Sequence, residues 1–353
     1  MARHTIQELH QYQALTLEQK IEMTKERIKA WVDHYGIDGV YVSMSGGKDS
    51  TVLLHIARQL YPTIKAVFVD VPTQYPELRE YARNWGGQAT DIIKPQISFI
   101  EVCERYGFPL ISKEVSQVIY ESKNFLRAGK PIPKYRLDRL NGTATDSNGN
   151  KSQYNLEKWK FLLDAPFDIS HKCCAIMKKN PVKKYEKETG RKPIIGQMAS
   201  ESKMRAQEWM KYGCNAFDVK RPVSNPIMAW TDQDILAYVV ENNIKLCPIY
   251  GDVVVDYAAA GQVDGQQSLS EYGIFDKERP CYKCTGRSRS GCALCGFGSM
   301  NYGCNGDFRF EKMKQTHPGM YKLLDVVKNN GVTYREAIEW VNEHNGKGEI
   351  IRL

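Results

Sequence analysis

Ser45-Gly46-Gly47-Lys48-Asp49-Ser50-Thr51 sets two glycines, a lysine, an aspartate and three hydroxyls side by side, residue types suited to gripping an anion. The run Gly39–Met44 before them is β-branched and aromatic, whereas Val52, Leu53, Leu54, Ile56, Ala57 and Leu60 after them recur at helical spacing. The segment therefore joins a strand to a helix N-terminus. Gly46 and Gly47 let the backbone approach a phosphate, the helix start offers unpaired N–H groups, and Lys48 adds a point charge. The glycines stand too close to the lysine for a G-x-x-x-x-G-K-[ST] loop. A tight turn capped by Ser or Asp is the plain alternative, but the whole string between these flanks favours nucleotide phosphates and makes an ATP-consuming enzyme the first expectation.

Ten cysteines form the second group of reactive residues. Cys173 and Cys174 are adjacent, Cys281-x-x-Cys284 and Cys292-x-x-Cys295 lie seven residues apart, and Cys304 follows. Thiolates gathered this closely need a metal to neutralise them, and both zinc and iron–sulfur accept four at such spacings. Cys103, Cys214 and Cys247 have apolar neighbours and read as small core residues.

The positioning elements follow from periodicity. A helix over 17–34 precedes the first strand. A second strand spans 63–70, with a helix opening at Tyr75-Pro76-Glu77; a third spans 88–93, with a helix over 99–106; and a short strand over 193–198 leads into a capped helix start at 199–205. Alternation at this spacing implies an α/β fold with a doubly wound parallel sheet. Asp70, ending the second strand, then lies at the carboxyl edge where ligands bind, although it could equally cap the next turn. Glu201 and Arg205 are spaced as a helical i,i+4 pair.

Helical patterns recur at 308–327 and 334–341. The expected organisation is an N-terminal helical segment (1–37), a nucleotide domain (38–250) with an insertion at about 123–160, and a cysteine-rich, mainly helical C-terminal region (251–353). The insertion, with Gly129, Pro131, Pro133 and the polar run 141–150, reads as a loop with a mobile tip. It carries nine Lys/Arg against three Asp/Glu, and residues 171–192 carry eight against two, within a net charge of +8. Lys134, Arg136 and Arg139 beside Tyr135 read either as a strip that grips a nucleic-acid backbone or as plain surface. No apolar run has the length of a membrane span and the N-terminus has no signal-peptide pattern, so a cytoplasmic location is expected, where thiols stay reduced.

Ser45–Ser50 between its two flanks resembles the PP-loop of the ATP pyrophosphatase superfamily, which includes the small subunit of ATP sulfurylase, tRNA thiolation enzymes and the phosphoadenylylsulfate (PAPS) reductase family. The resemblance covers roughly residues 38–310. It implies an adenine nucleotide alpha hydrolase-like, Rossmann-like fold and attack on the α-phosphate of ATP held with Mg2+, releasing pyrophosphate. Lys48, Asp49 and Ser50 would be catalytic, and Ser43, Ser45, Gly46, Gly47 and Asp70 would bind the nucleotide. Gly196, Glu201, Ser202 and Arg205 resemble the superfamily's second phosphate-facing turn.

Lys172-Cys173-Cys174 with the later Gly291-Cys292-x-x-Cys295 is similar to the 4Fe-4S ligand set of adenylylsulfate reductases, which implies Cys173, Cys174, Cys292 and Cys295 as ligands. The spacing of Cys284, Cys292, Cys295 and Cys304 is similar to the cluster motif of DNA-phosphorothioation ATPases, and Zn2+ at Cys281, Cys284, Cys292 and Cys295 is a third arrangement. Reductases of activated sulfate carry a Glu-Cys-Gly-Leu-His nucleophile near the C-terminus and degenerate loops; here no cysteine follows Cys304 and the loop is complete. The expectation is therefore an enzyme that adenylylates a nucleic acid, DNA or RNA, for sulfur insertion with help from a cysteine desulfurase or other sulfur donor. Sulfonucleotide reduction and a zinc-stabilised nucleic-acid-binding protein are the alternatives, and oligomerisation is left open.

Overall fold

The computed structural model describes residues 3–257, 280–300 and 308–353. They divide into two compact units whose segments interleave along the chain: Met1–Asp70, Pro76–Lys94 and Val182–Ser290 form the first, Val71–Tyr75, Pro95–Pro181 and Gly291–Leu353 the second.

The first unit is built on a six-stranded sheet. Its parallel core consists of β1 (Val40–Met44), β2 (Ala66–Val69), β3 (Thr90–Ile93), β5 (Lys192–Ile194) and β7 (Val223–Ser224), with β6 (Asn215–Ala216) antiparallel at one edge; the order is β3-β2-β1-β5-β7-β6. β1 pairs with β2 on one side and β5 on the other, so the chain reverses direction across the sheet at β1. Such a switch point opens a crevice at the carboxyl ends of the strands, and the segment after β1 emerges there. α1 (Ile6–Gln13), α2 (Leu17–Tyr35), α3 (Lys48–Leu60), α4 (Pro76–Gly86), α9 (Asn180–Thr189, from Val182 on), α10 (Lys203–Tyr212) and α11 (Asp232–Glu241) accompany the sheet. Val40, Val42, Leu53, Leu54, Ile56, Phe68, Ile194 and Trp230 are fully buried, as near-continuous apolar strands covered by helices require. A two-stranded pair, β8 (Val253–Val255) with β9 (Tyr282–Cys284), completes this unit.

The second unit is mainly helical: α5 (Phe99–Tyr106), α6 (Lys113–Arg127), α7 (Lys134–Asn141), α8 (Lys172–Cys174), α12 (Arg309–Thr316), α13 (Pro318–Tyr321), α14 (Leu323–Val326) and α15 (Tyr334–His344). It contains two short strand pairs, β4 (Leu110–Ile111) with β10 (Gly296–Phe297), and β11 (Lys328–Asn329) with β12 (Val332–Thr333). Phe108 and Tyr334 stack at 4.8 Å in its core, beside Phe167 and Phe310.

The observed architecture is the expected α/β fold with a mostly parallel sheet and a helical, cysteine-bearing region. The strands are shorter than their apolar runs: β2 begins at Ala66 and β3 at Thr90, and β5 ends at Ile194. The expected insertion contains more regular structure than its composition suggested. α7 occupies its centre, with Lys134 on Asp138, Arg136 on Glu121 and Arg139 on Glu114, so these three cations already face carboxylates. No described helix is long and apolar enough to cross a membrane.

Candidate active site

The phosphate-type segment occupies the turn between β1 and α3. Gly46 adopts φ +78°, and a Cβ there would stand 2.9 Å from the Leu78 carbonyl oxygen, so both conformation and space require glycine. A Cβ at Gly47 would meet the Ser290 hydroxyl at 2.8 Å. Ser45 and Ser50 tie the turn together: their hydroxyls lie 3.0 Å apart, Ser45 N–H donates to Ser50 Oγ, and Ser50 Oγ donates to the Gly47 carbonyl. α3 begins at Lys48, and its N-cap Gly47 supplies no side-chain cap, which leaves the positive end of the helix facing the turn. Ser43 lies within β1, in register with Val67.

Lys48 is only 4% exposed, yet its ammonium has carboxylates within reach: Asp232 Oδ1 at 2.7 Å and Asp49 Oδ1 at 3.6 Å. Burial opposes its charge, but those two carboxylates outweigh burial and hold the ammonium more firmly protonated than a free lysine. Asp49 is pushed upward by burial, against the pull of Lys48, and its Oδ1 is buried without a hydrogen-bond donor. The Lys48 backbone N–H donates to the Tyr250 hydroxyl at 3.2 Å.

The second turn packs against the first. A Cβ at Gly196 would lie 3.2 Å from the Asp49 carbonyl oxygen and 3.3 Å from Ser50 N, so a side chain there would press on α3. Ser202 caps α10 by accepting from Arg205 N–H, and Glu201 accepts from Met198 N–H. Arg205 forms an ion pair with Glu201; burial pushes its guanidinium down, and the nearby Asp49 works against that. The helical pair and the approach to the loop therefore coexist. Asp70 sits at the end of β2 with a buried carboxylate that accepts from Arg79 Nε at 2.6 Å and from Arg83. Its acceptor capacity is directed at two guanidinium groups of α4.

Asp232, Tyr250 and the segment 285–290 join this site without having been singled out from sequence. Asp232 follows Thr231, the N-cap of α11, and reads as an ordinary helix start. The run Thr285-Gly286-Arg287-Ser288-Arg289-Ser290 has the small, hydroxyl and basic composition of an anion loop, a signal masked by its place among the cysteines.

The cysteines divide between the units. Cys281 and Cys284 flank or end β9 in the first. In the second, Cys173, Cys174, Cys292 and Cys295 line one small cavity together with Thr73, Phe99, Pro109, Met177 and Lys178. Cys173 and Cys174 belong to α8, which runs into a π-helical turn at Ala175–Lys179, a geometry that recurs at functional sites. The Cys292–Cys295 turn is closed by Cys295 N–H donating to Cys292 O at 3.1 Å. It is braced by Arg309 donating to Cys295 O and Tyr334 donating to Leu294 O. Burial pushes the Cys173 thiol strongly up and Cys295 up to about 11, with the neighbouring sulfurs adding to both shifts. Lys178 hydrogen-bonds Cys292, whose negative charge would hold the lysine protonated.

Among the described residues no group of three His, Cys, Asp or Glu side chains is arranged to hold a single metal ion. Cys304 lies outside the described residues. Cys103 and Cys247 are buried core residues, and Cys214 packs against the Leu9–Trp209 cluster.

The family described as phosphoadenosine phosphosulfate reductase domain matches residues 39–111 and 134–275, well over half of the chain and inclusive of the β1–α3 turn, Gly196 and Arg205. No curated protein matches the chain. The chain belongs to the phosphoadenosine phosphosulfate reductase domain family.

Proposed function

We propose that the protein cleaves ATP between the α- and β-phosphates, adenylylates an oxygen of a nucleic-acid acceptor, and thereby prepares it for sulfur insertion. The observation that carries this reading is the complete loop: Gly46 at its sterically required position with Gly47 beside it, the start of α3 with no side chain from its N-cap, and a buried, charged Lys48 in one turn. In the reaction the acceptor oxygen attacks the α-phosphorus and the bond to the bridging oxygen breaks. Pyrophosphate departs against the Lys48 ammonium and the first-turn N–H groups, which are fixed before its charge develops. A sulfur nucleophile then displaces AMP as the acceptor's carbon–oxygen bond breaks. Asp49 Oδ1, buried without a hydrogen bond and 3.6 Å from the Lys48 ammonium, would be the oxygen of this turn to hold a Mg2+ ion accompanying the triphosphate.

Four soft donors around one cavity, with no carboxylate or imidazole in its lining among the described residues, suit an iron–sulfur cluster held by Cys173, Cys174, Cys292 and Cys295. Such a cluster would bind or polarise the incoming sulfur. Meanwhile Lys178 holds positive charge beside Cys292, and Arg309 and Tyr334 fix the Cys292–Cys295 turn. The family description also accommodates reduction of a sulfonucleotide at the same loop. Pyrophosphate release separates the readings. Wild type should release pyrophosphate from ATP with DNA or RNA present, and Lys48→Ala should abolish release without altering the circular dichroism spectrum. Release retained by Lys48→Ala, or sulfite formed from a sulfonucleotide without ATP, would overturn the proposal.

A further inference from the structure

The β8–β9 pair delivers residues 285–290 onto the phosphate turn, and the placement is fixed by backbone contacts. Thr285 N–H donates to Asp252 O and Asp252 N–H to Thr285 Oγ1, both at 2.9 Å. Gly286 N–H donates to Tyr250 O and Arg287 N–H to Ile249 O, both at 2.8 Å. A Cβ at Gly286 would lie 2.5 Å from the Ile249 carbonyl oxygen, so the two backbones touch directly. Beyond this anchor the segment reaches the site. Lys48 Nζ donates to Ser288 O at 3.5 Å, Ser290 hydrogen-bonds the Tyr250 hydroxyl that receives Lys48 N–H, and the Ser290 hydroxyl abuts Gly47.

Arg289 stands between Ser288 and Ser290, exposed, near enough to Arg205 to disfavour that guanidinium's charge. It has no ion pair among the described residues. Lys48 and Arg205 already have Asp232, Asp49 and Glu201 as carboxylate partners, so Arg289 is the cation of this group whose charge is left for an incoming polyanion.

We infer that Thr285–Ser290 is a strap completing the polyphosphate site, in which Arg289 and the Ser290 hydroxyl bind the β- and γ-phosphates of ATP and the pyrophosphate product. This rests on the reading of the loop as an ATP site. A guanidinium offers paired donors to phosphate oxygens, and Gly47, having no side chain, leaves the Ser290 hydroxyl room at the turn. The assignment gives Cys281-x-x-Cys284 a structural part: it ends in the strand from which the strap departs.

Titration calorimetry on the full chain at fixed ionic strength, with ATP, pyrophosphate and AMP as separate titrants, tests the strap. Arg289→Ala should weaken ATP and pyrophosphate about 10- to 100-fold, as loss of a charge-assisted contact does, and leave AMP unchanged; Arg289→Lys should recover part of the loss. Ser290→Ala should weaken the same two ligands several-fold. Wild-type affinities in Arg289→Ala, with binding still abolished in Lys48→Ala, overturn the strap and leave the ATP site standing. A wild type that binds neither ATP nor pyrophosphate overturns both.

Discussion

At the scale of single residues, the loop's lysine carries two commitments. In the proposed reaction Lys48 serves phosphate, but Asp232 holds its ammonium at 2.7 Å and itself stays 57% exposed. A half-exposed carboxylate on a buried ammonium keeps the cation charged and placed without ligand, yet a polyphosphate must compete with it. Asp232→Asn should therefore tighten ATP and pyrophosphate several-fold and steepen their salt dependence, measured by calorimetry at two salt concentrations. Stability should fall by about 1–3 kcal/mol, because the buried Lys48 ammonium loses its nearest carboxylate. Weaker binding in this variant would mean that Asp232 orients Lys48 toward the phosphates. Sequence spacing alone disclosed Lys48 and its glycines, since local backbone chemistry defines them. Asp232 stayed hidden because its role depends on α11 starting beside the start of α3, a relation with no local signature.

At the scale of elements, β2 and α4 meet through Asp70. Burial would raise its pKa, but hydrogen bonds from Arg79 and Arg83 overcome that and hold the carboxyl below the ordinary range. A lowered folded-state value means the interaction contributes fully above the unfolded carboxylate pKa of about 4 and fades as pH falls through the lower folded value. Urea midpoints followed from pH 7 to pH 3 should therefore decline in wild type with a component that Asp70→Asn lacks. The variant should cost about 1–3 kcal/mol at pH 7, the range for a buried polar group losing its partners. Equal acid sensitivity in both proteins would assign the decline to other carboxylates. The position of Asp70 at the strand end was legible from the alternation of strands and helices. Its partners were not, because Arg79 and Arg83 reach it only through the angle at which α4 returns. The basic insertion makes the same point: its cation count left open a nucleic-acid strip or plain surface, and α6 and α7 pair three of those cations with carboxylates.

At the scale of the whole molecule, segments far apart in sequence are sorted into two units. Cys173 and Cys174 come together with Cys292 and Cys295 at one cavity, while Cys284 belongs to the other unit. Anaerobically purified protein should contain iron and sulfide; Cys173→Ser and Cys292→Ser should lose them, and Cys284→Ser should retain them, by elemental and sulfide analysis. Dependence on Cys284 with indifference to Cys173 would select the later set of cysteines, and zinc without iron would remove the cluster altogether. By itself the sequence determined the α/β alternation, the glycine-bearing turn between strand and helix and the close spacing of the cysteines, because each follows from neighbours within a few residues. Only the tertiary structure decided which thiols share a cavity, that Asp232 holds Lys48, and that residues 285–290 return to Gly47. Those outcomes depend on where the chain comes back through space, and pattern along a chain carries no such distances.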